Sequence, residues 1–213
     1  MPVLLDRTCL LCGRVLSAEK RSAALCPDCA REVRTEYRYH GECSVPGADG
    51  AAGALCYRGR VKEALHRFKF GGRPQYAAWF AAEMAAVLAA QLDRWQPTCI
   101  TYLPLGFLRA RERGYNQAEL LARPIAQSLS LPCVPALRKR PFTARQSVQQ
   151  DAAARRKNAA GSLLPGRVPL AGERVVVIDD IVTAGSAAAD AAHVLGSMGA
   201  AWVFVLAAAK TVD

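Results

Sequence analysis

Val175-Val176-Val177-Ile178-Asp179-Asp180-Ile181-Val182-Thr183-Ala184-Gly185-Ser186-Ala187 is the stretch whose reading decides the fold. Four consecutive β-branched residues are what a strand covered on both faces requires, and they predict a buried parallel strand. Asp179 and Asp180 fall at its carboxyl end, which is where ligands sit in open α/β sheets. The small residues that follow let backbone N–H groups approach an anion closely. Ala187 to Met198, rich in Ala with Val194 and Leu195, reads as a helix whose N-terminus favours a phosphate at the same loop. Two acids beside an anion cradle are compatible if the carboxylates accept hydrogen bonds from a sugar's hydroxyls while the loop holds its phosphate. An acidic helix cap after an ordinary buried strand is the other reading of these residues.

The chain on either side alternates as a parallel-sheet protein should. Thr98 to Leu103 is predicted as a short strand, Tyr115 to Leu129 as a helix, Arg174 to Ile178 as a strand and Ala201 to Ala207 as a last strand. Tyr76 to Leu92 is the most apolar long stretch. It contains Glu83 and is mostly Ala, so it reads as an amphipathic helix with Trp79, Phe80, Met84, Val87 and Leu88 turned inward rather than as a membrane span.

Near the other terminus Cys9-x2-Cys12 is followed, after 13 residues, by Cys26-x2-Cys29. Two knuckles of this spacing present four thiolates to one tetrahedral zinc, with no position open to water, so the ion is structural. The segment from Met1 to about His40 has too few large apolar residues to fold unaided. Two disulfides are the alternative. They are disfavoured by an N-terminus, Met-Pro-Val-Leu-Leu-Asp-Arg, that lacks the apolar run of a secretory signal and points to the cytoplasm. Cys43 and Cys56 have no CxxC around them, and Cys99 and Cys133 sit in apolar surroundings. At 213 residues the chain accommodates a zinc module over 1–46, a Gly- and Ala-rich linker over 47–55, and an α/β domain over 56–213.

Charge is concentrated in one region. Leu105 to Arg174 carries 13 Arg or Lys against four acids, a net +9 of the chain's +10. This points to a polyanionic partner, a pyrophosphate-bearing small molecule or a nucleic-acid backbone, with a solvated basic face as the plain alternative. Within it, Arg113-Gly114-Tyr115-Asn116-Gln117-Ala118 opens a helix after Leu103-Pro104-Leu105; Arg113 suits a phosphate, Tyr115 a stacked ring and Asn116 a cap. Arg138 to Gln146 then leads to Arg155-Arg156-Lys157-Asn158 with little apolar content between, as in a mobile basic hood that closes over a charged ligand.

The Asp179 to Ala187 run resembles the phosphoribosyl pyrophosphate (PRPP) loop of type I phosphoribosyltransferases. The whole order of features resembles the ComF family (competence protein F, ComFC): the zinc module, Leu65-His66-Arg67-Phe68-Lys69-Phe70, Arg113 to Gln117, Arg145-Gln146 with Arg156-Lys157-Asn158, and the loop. The resemblance implies a type I phosphoribosyltransferase-like parallel sheet flanked by helices. It also implies a ribose-phosphate site with Asp179 and Asp180 on the 2′ and 3′ hydroxyls, and Thr183, Ala184, Gly185, Ser186 and Ala187 with Arg109 and Arg113 on phosphate. Mg2+ would accompany PRPP. Two departures stand out. Ala184 and Ala187 replace threonines of the family's Asp-Asp-x-x-Thr-Thr-Gly-x-Thr, which weakens phosphate binding by about 1 kcal/mol per lost hydrogen bond. The family's second pair of knuckles is reduced to Cys43, so a second zinc is not expected.

By the same resemblance the expected role is in DNA uptake during natural transformation, alongside the competence helicase and DNA-processing proteins. Single-stranded DNA would meet Arg109, Arg111, Arg113, Arg140, Arg145 and Arg156 through phosphates, with Tyr115 and Phe142 stacking on bases. The competing expectation is a phosphoribosyltransferase of nucleotide metabolism that transfers ribose 5-phosphate from PRPP to a nitrogen acceptor, although the sequence shows no recognisable base or amine pocket. A third is an interaction module that docks through the zinc segment.

Overall fold

The computed structural model describes residues 8–17, 24–41, 43–141 and 161–212. Four parallel strands form one sheet in the order β1-β6-β5-β2: β1 Gly50–Cys56, β2 Cys99–Tyr102, β5 Arg174–Val182 and β6 Trp202–Lys210. A separate antiparallel pair, β3 Leu137–Lys139 and β4 Leu163–Pro165, carries the root of the basic stretch. The helices are α1 Pro27–Glu32, α2 Gly59–Phe70, α3 Ala77–Ala89, α4 Leu92–Trp95, α5 Phe107–Arg113, α6 Gln117–Ser128 and α7 Ser186–Ser197. The fold class is the expected one, a parallel sheet flanked by helices.

Alternation along the strands sorts the core into two faces. Val176 and Ile178 of β5 and Phe204, Leu206 and Ala208 of β6 pack with α2, α3 and α6. Val175 and Val177 with Val203, Val205 and Ala207 pack with α7 and the β3-β4 pair. The first cluster also contains Cys9, Leu10, Leu11, Leu16, Cys26 and Cys29, so the cysteine segment shares its core with the sheet's helices. Proline at the first position of α1 starts that helix directly after Cys26.

Three boundaries differ from the sequence reading. Residues 50–55 of the stretch read as a linker form, with Cys56, strand β1, hydrogen-bonded in parallel to β6 from Gly50↔Phe204 to Cys56↔Lys210. Small residues serve here as packing surface, since a Cβ on Gly50 would lie 3.2 Å from both Phe204 and Trp95. β5 continues past Ile178 to Val182, so both acids belong to the strand. β6 continues through Ala207, Ala208 and Ala209, weak strand formers that are fully buried and held by pairing. In the helix predicted over Tyr76 to Leu92, Phe80, Met84 and Leu88 are buried, whereas Trp79 and Val87 are only half-buried. Among the described residues no helix is long and apolar enough to cross a membrane.

Candidate functional site

β2 pairs with β5 only as far as Tyr102↔Ile178, whereas β6 follows β5 on to Val182↔Lys210. Asp179 and Asp180 therefore lie on an edge from which the neighbouring strand has turned away, at the carboxyl ends of the strands. Asp179 Oδ1 accepts the Asp180 backbone N–H at 2.7 Å. Lys69 Nζ, at the end of α2, lies 3.0 Å from Asp180 Oδ1, with the two side chains only 20% and 13% exposed. Burial, then the Asp180 charge, pushes the Asp179 carboxyl up to about 8 against the opposing pull of Lys69. The acid pair thus holds a proton to higher pH than an isolated carboxyl does, and with it can donate to an oxygen as well as accept. Sequence alone assigns Lys69 no role, because a lysine near the end of a helix carries no sign of a partner as distant as Asp180.

After Val182 the chain exposes Thr183 and Ala184, then buries Gly185 at φ +71, where it caps α7. A Cβ on Gly185 would stand 3.5 Å from Val45 in a backbone region that favours glycine. Among the described residues no side chain caps α7, so its first N–H groups face the loop without a side-chain acceptor there. Ser186 is half-buried in the first turn and Ala187 is exposed. The loop presents the first backbone N–H groups of α7 together with the side-chain hydroxyls of Thr183 and Ser186.

α5 and α6 form the opposite wall. Gly114 at φ +74 ends α5 and allows the sharp turn into α6. Arg113, half-buried, donates to Gln117 Oε1 at 2.9 Å and lies 4.6 Å over the Phe70 ring. Burial lowers its pKa, and the Asp180 charge opposes that. Among the described residues, buried Gln117 Nε2 has no hydrogen-bond partner. Asn116 caps α6 through Ala118 N–H at 3.1 Å, as the sequence suggested, and donates to the Leu103 carbonyl at 3.0 Å. Tyr115 is committed inward: its hydroxyl donates to the Phe68 carbonyl and its ring stacks 5.9 Å from Phe68. That geometry does not offer Tyr115 to a base. Arg109 and Arg111 are exposed on α5, with Arg111 5.9 Å over Phe107.

The β3-β4 pair holds Arg140 at the surface, where its Nε donates to the Gly161 carbonyl at 2.9 Å. Phe142, Arg145 and Arg156, together with Gln146, Arg155, Lys157 and Asn158, lie outside the described residues. The returning end of the stretch is fixed by Asp190 of α7. Its buried carboxylate accepts from the N–H groups of Gly161 at 2.8 Å, Ser162 at 2.9 Å and Leu163 at 3.0 Å, and from the Ser162 hydroxyl at 3.2 Å. Lys139 Nζ adds a bond to Ser162 Oγ at 2.7 Å. Asp190 is a further residue that sequence reasoning missed. An acid within an Ala-rich helix looks solvated until its partners are known.

The four cysteines of the two knuckles converge, with all Sγ atoms within 4.8 Å of one another. Cys12 Sγ to Cys26 Sγ is 3.8 Å, the edge of a tetrahedron with metal–sulfur bonds of about 2.3 Å and far beyond a disulfide. All eight cysteines are free thiols, and among the described residues Cys43 and Cys56 join no metal-type cluster. Burial raises the Cys9 thiol, but hydrogen bonds from backbone N–H groups outweigh it and bring it to about 7, so the thiolate is accessible. α2 clasps this site: Arg60 donates to Glu32 at 2.7 Å and to Cys29 Sγ at 3.5 Å, and Arg67 donates to the Leu10 and Leu11 carbonyls at 3.0 and 2.9 Å. The cluster can hold one metal ion.

No family model matches the chain. Among solved structures, the glutamine PRPP amidotransferase from B. subtilis aligns with TM-score 0.37 and 23% identity over 52% of this chain and 22% of that one. The chain thus spans about a fifth of the amidotransferase's length, or 22%. A structure from an analysis of an invariant aspartic acid in HPRTs aligns with TM-score 0.40 and 11% identity over 64% and 78% of the two chains. The DNA utilization protein YhgH of Salmonella typhimurium is 28% identical over 219 residues, covering 99% of this chain and 94% of the relative. The protein of that name in Escherichia coli K12 gives the same figures, 28% over 219 residues. Competence protein F of Haemophilus influenzae is 27% identical over 191 residues, covering 84% and 81%. The resemblance to the ComF family therefore extends over most of the chain, which is a homologue of DNA utilization protein YhgH and competence protein F.

Proposed function

We propose that this protein is a ComF-like DNA-utilisation protein of the cytoplasm that binds a ribose phosphate of the PRPP type at the end of β5 and single-stranded DNA on the adjoining basic surface. The observation that carries the reading is the acid pair at an open strand end, with Lys69 and Arg113 beside it and the Gly185 loop running into α7. Asp179 and Asp180 take the ribose hydroxyls, the loop of Thr183 to Ala187 takes the 5′-phosphate, and Arg113 faces the pyrophosphate. Mg2+ bound with PRPP would neutralise pyrophosphate charge. Cys9, Cys12, Cys26 and Cys29 hold a structural zinc. Arg109, Arg111 and Arg140 at the surface, with Arg145 and Arg156, carry the phosphates of the strand, and the DNA-handling proteins of transformation are the expected partners.

The test is fluorescence anisotropy of a labelled single-stranded oligonucleotide against zinc-loaded protein across salt concentrations, with and without Mg2+ and PRPP. Salt-dependent binding is expected, with a shallower slope of log affinity on log salt in the Arg145→Ala/Arg156→Ala variant. An unchanged slope removes those arginines from the interface. Asp179→Asn/Asp180→Asn is expected to lose PRPP affinity while remaining folded, and an unaltered isotherm makes the acids structural. Pyrophosphate release from PRPP with a panel of nitrogen acceptors distinguishes the enzymic alternative, which silence across the panel disfavours.

A further inference from the structure

Phe107 and Phe70 are the most exposed large hydrophobic side chains among the described residues, at 75% and 60%. A single exposed phenyl ring is ordinary, but these two belong to one locality, and clustered exposed rings mark a surface for a partner. Each is covered by a guanidinium from α5: Arg113 lies 4.6 Å over Phe70, and Arg111 lies 5.9 Å over Phe107. The residue spacing fixes their arrangement. Phe107 and Arg111 are four apart on the helix and share a flank, as do Arg109 and Arg113. Arg111 and Arg113 are two apart, about 200° around the axis, so the two arginine-backed rings stand on opposite flanks of one short helix. Leu108, 56% exposed, adds apolar surface to the Phe107 side. Phe70 also meets the His66 ring, tilted at 4.8 Å, yet stays 60% exposed, and Phe107 has Arg111 beside it, so both rings keep surface for a base next to a cation that suits its phosphate.

We infer that α5, with Phe70 from the end of α2, is a stacking platform for single-stranded nucleic acid, in which bases stack on Phe107 and Phe70 and Arg109 and Arg111 contact the intervening phosphates. This rests on the proposed DNA-binding reading and assigns the stacking within it to rings other than Tyr115. The occupant follows from charge and shape together. A folded protein partner would suit a contiguous apolar patch, whereas isolated rings alternating with arginines match the repeat of base and phosphate along a strand. The inner side of the same assembly faces the acid pair, since Lys69 next to Phe70 pairs with Asp180 and Arg113 feels the Asp180 charge. A strand lying on α5 thus runs beside Arg113 and close to Lys69, the cation paired with Asp180.

The experiment compares affinities for an oligothymidylate and for an abasic strand of the same length, using wild type, Phe107→Ala, Phe70→Ala and Phe107→Trp. Each alanine variant is expected to bind oligothymidylate at least about fivefold more weakly, the lower end of what losing one base stack costs. Abasic-strand affinity and the salt slope should be unchanged, because the phosphate contacts remain, and Phe107→Trp should retain wild-type affinity or exceed it. Wild-type affinity in both alanine variants, or an equal loss on both strands, overturns the inference while leaving the DNA-binding reading intact. A wild-type dimer that Phe107→Ala converts to a monomer overturns it in favour of a second copy of the chain. No binding of either strand by wild type at low salt removes the inference and the reading together.

Discussion

Replacing Asp190 by Asn should loosen the junction between the basic stretch and the sheet, and its cost can be worked from the bonds described. The carboxylate accepts four hydrogen bonds, three from backbone N–H groups and one from the Ser162 hydroxyl. An Asn at this position must point its amide nitrogen at donors on one side. If it replaces Oδ1, the Gly161 N–H loses its acceptor; if it replaces Oδ2, three donors do. Losing one charge-assisted bond costs about 1.5–3 kcal/mol, and the remaining bonds lose charge assistance, so a total of about 3 kcal/mol is expected. For a chain of this length each kcal/mol lowers the midpoint by roughly 2–4 °C, giving a drop of about 6–12 °C in a thermal melt followed by far-UV circular dichroism. Hydrogen exchange should show faster exchange at Gly161, Ser162 and Leu163, with α3 and the β5-β6 ladder unchanged at short times. A midpoint within about 2 °C of wild type would refute the view that Asp190 fixes the stretch's return.

Asp179 gives a pH dependence of determinate sign. Its folded-state pKa, about 8, lies above its unfolded value of 3.8, so the stability it contributes is fully present below pH 3.8 and is lost as pH rises to 8. Asp179→Asn should flatten the fall in urea midpoint between pH 5 and 8, and a slope identical to wild type would contradict the assignment. Gly185→Ala, at φ +71 and facing Val45 at 3.5 Å, should cost about 1–2 kcal/mol and weaken ribose 5-phosphate binding measured calorimetrically; unchanged affinity would mean the loop does not hold the phosphate. Cys9→Ser should release the bound zinc, detected with a colorimetric chelator, and expose the apolar contacts of Leu10 and Leu11; full retention of one zinc per chain would show that the four thiols are not the ligand set.

The sheet was legible in the sequence because Val175 to Ile178 is an unbroken β-branched run and Val203 to Leu206 an unbroken apolar one. The knuckles were legible because the ligand spacing itself constrains the geometry. β1 was not, because Gly50, Ala51, Ala52 and Gly53 have the composition of a linker, and their strand conformation is decided by Phe204, Trp95 and Tyr39, which lie far away in the chain. Of the candidate site, the acids, the loop and Arg113 could be read locally. Lys69, Phe70 and Asp190 could not, since their roles come from partners 111, 43 and about 28 positions away, namely Asp180, Arg113 and Ser162. Tyr115 shows the opposite error: a local motif suggested a surface role, whereas the hydroxyl contact with Phe68 turns it to the interior.

Helix α2 is gripped by the cysteine site near its start and by the acid pair at its end: Arg60 touches Cys29 Sγ and Lys69 touches Asp180, about two and a half turns apart. One helix thus carries a contact to each site, and the two are linked to the extent that occupancy of one changes how the helix is held at the other. If metal occupancy steadies the helix, an anion drawing on Lys69 meets a lysine already in place, and by reciprocity the bound anion must tighten the hold on the metal by the same factor.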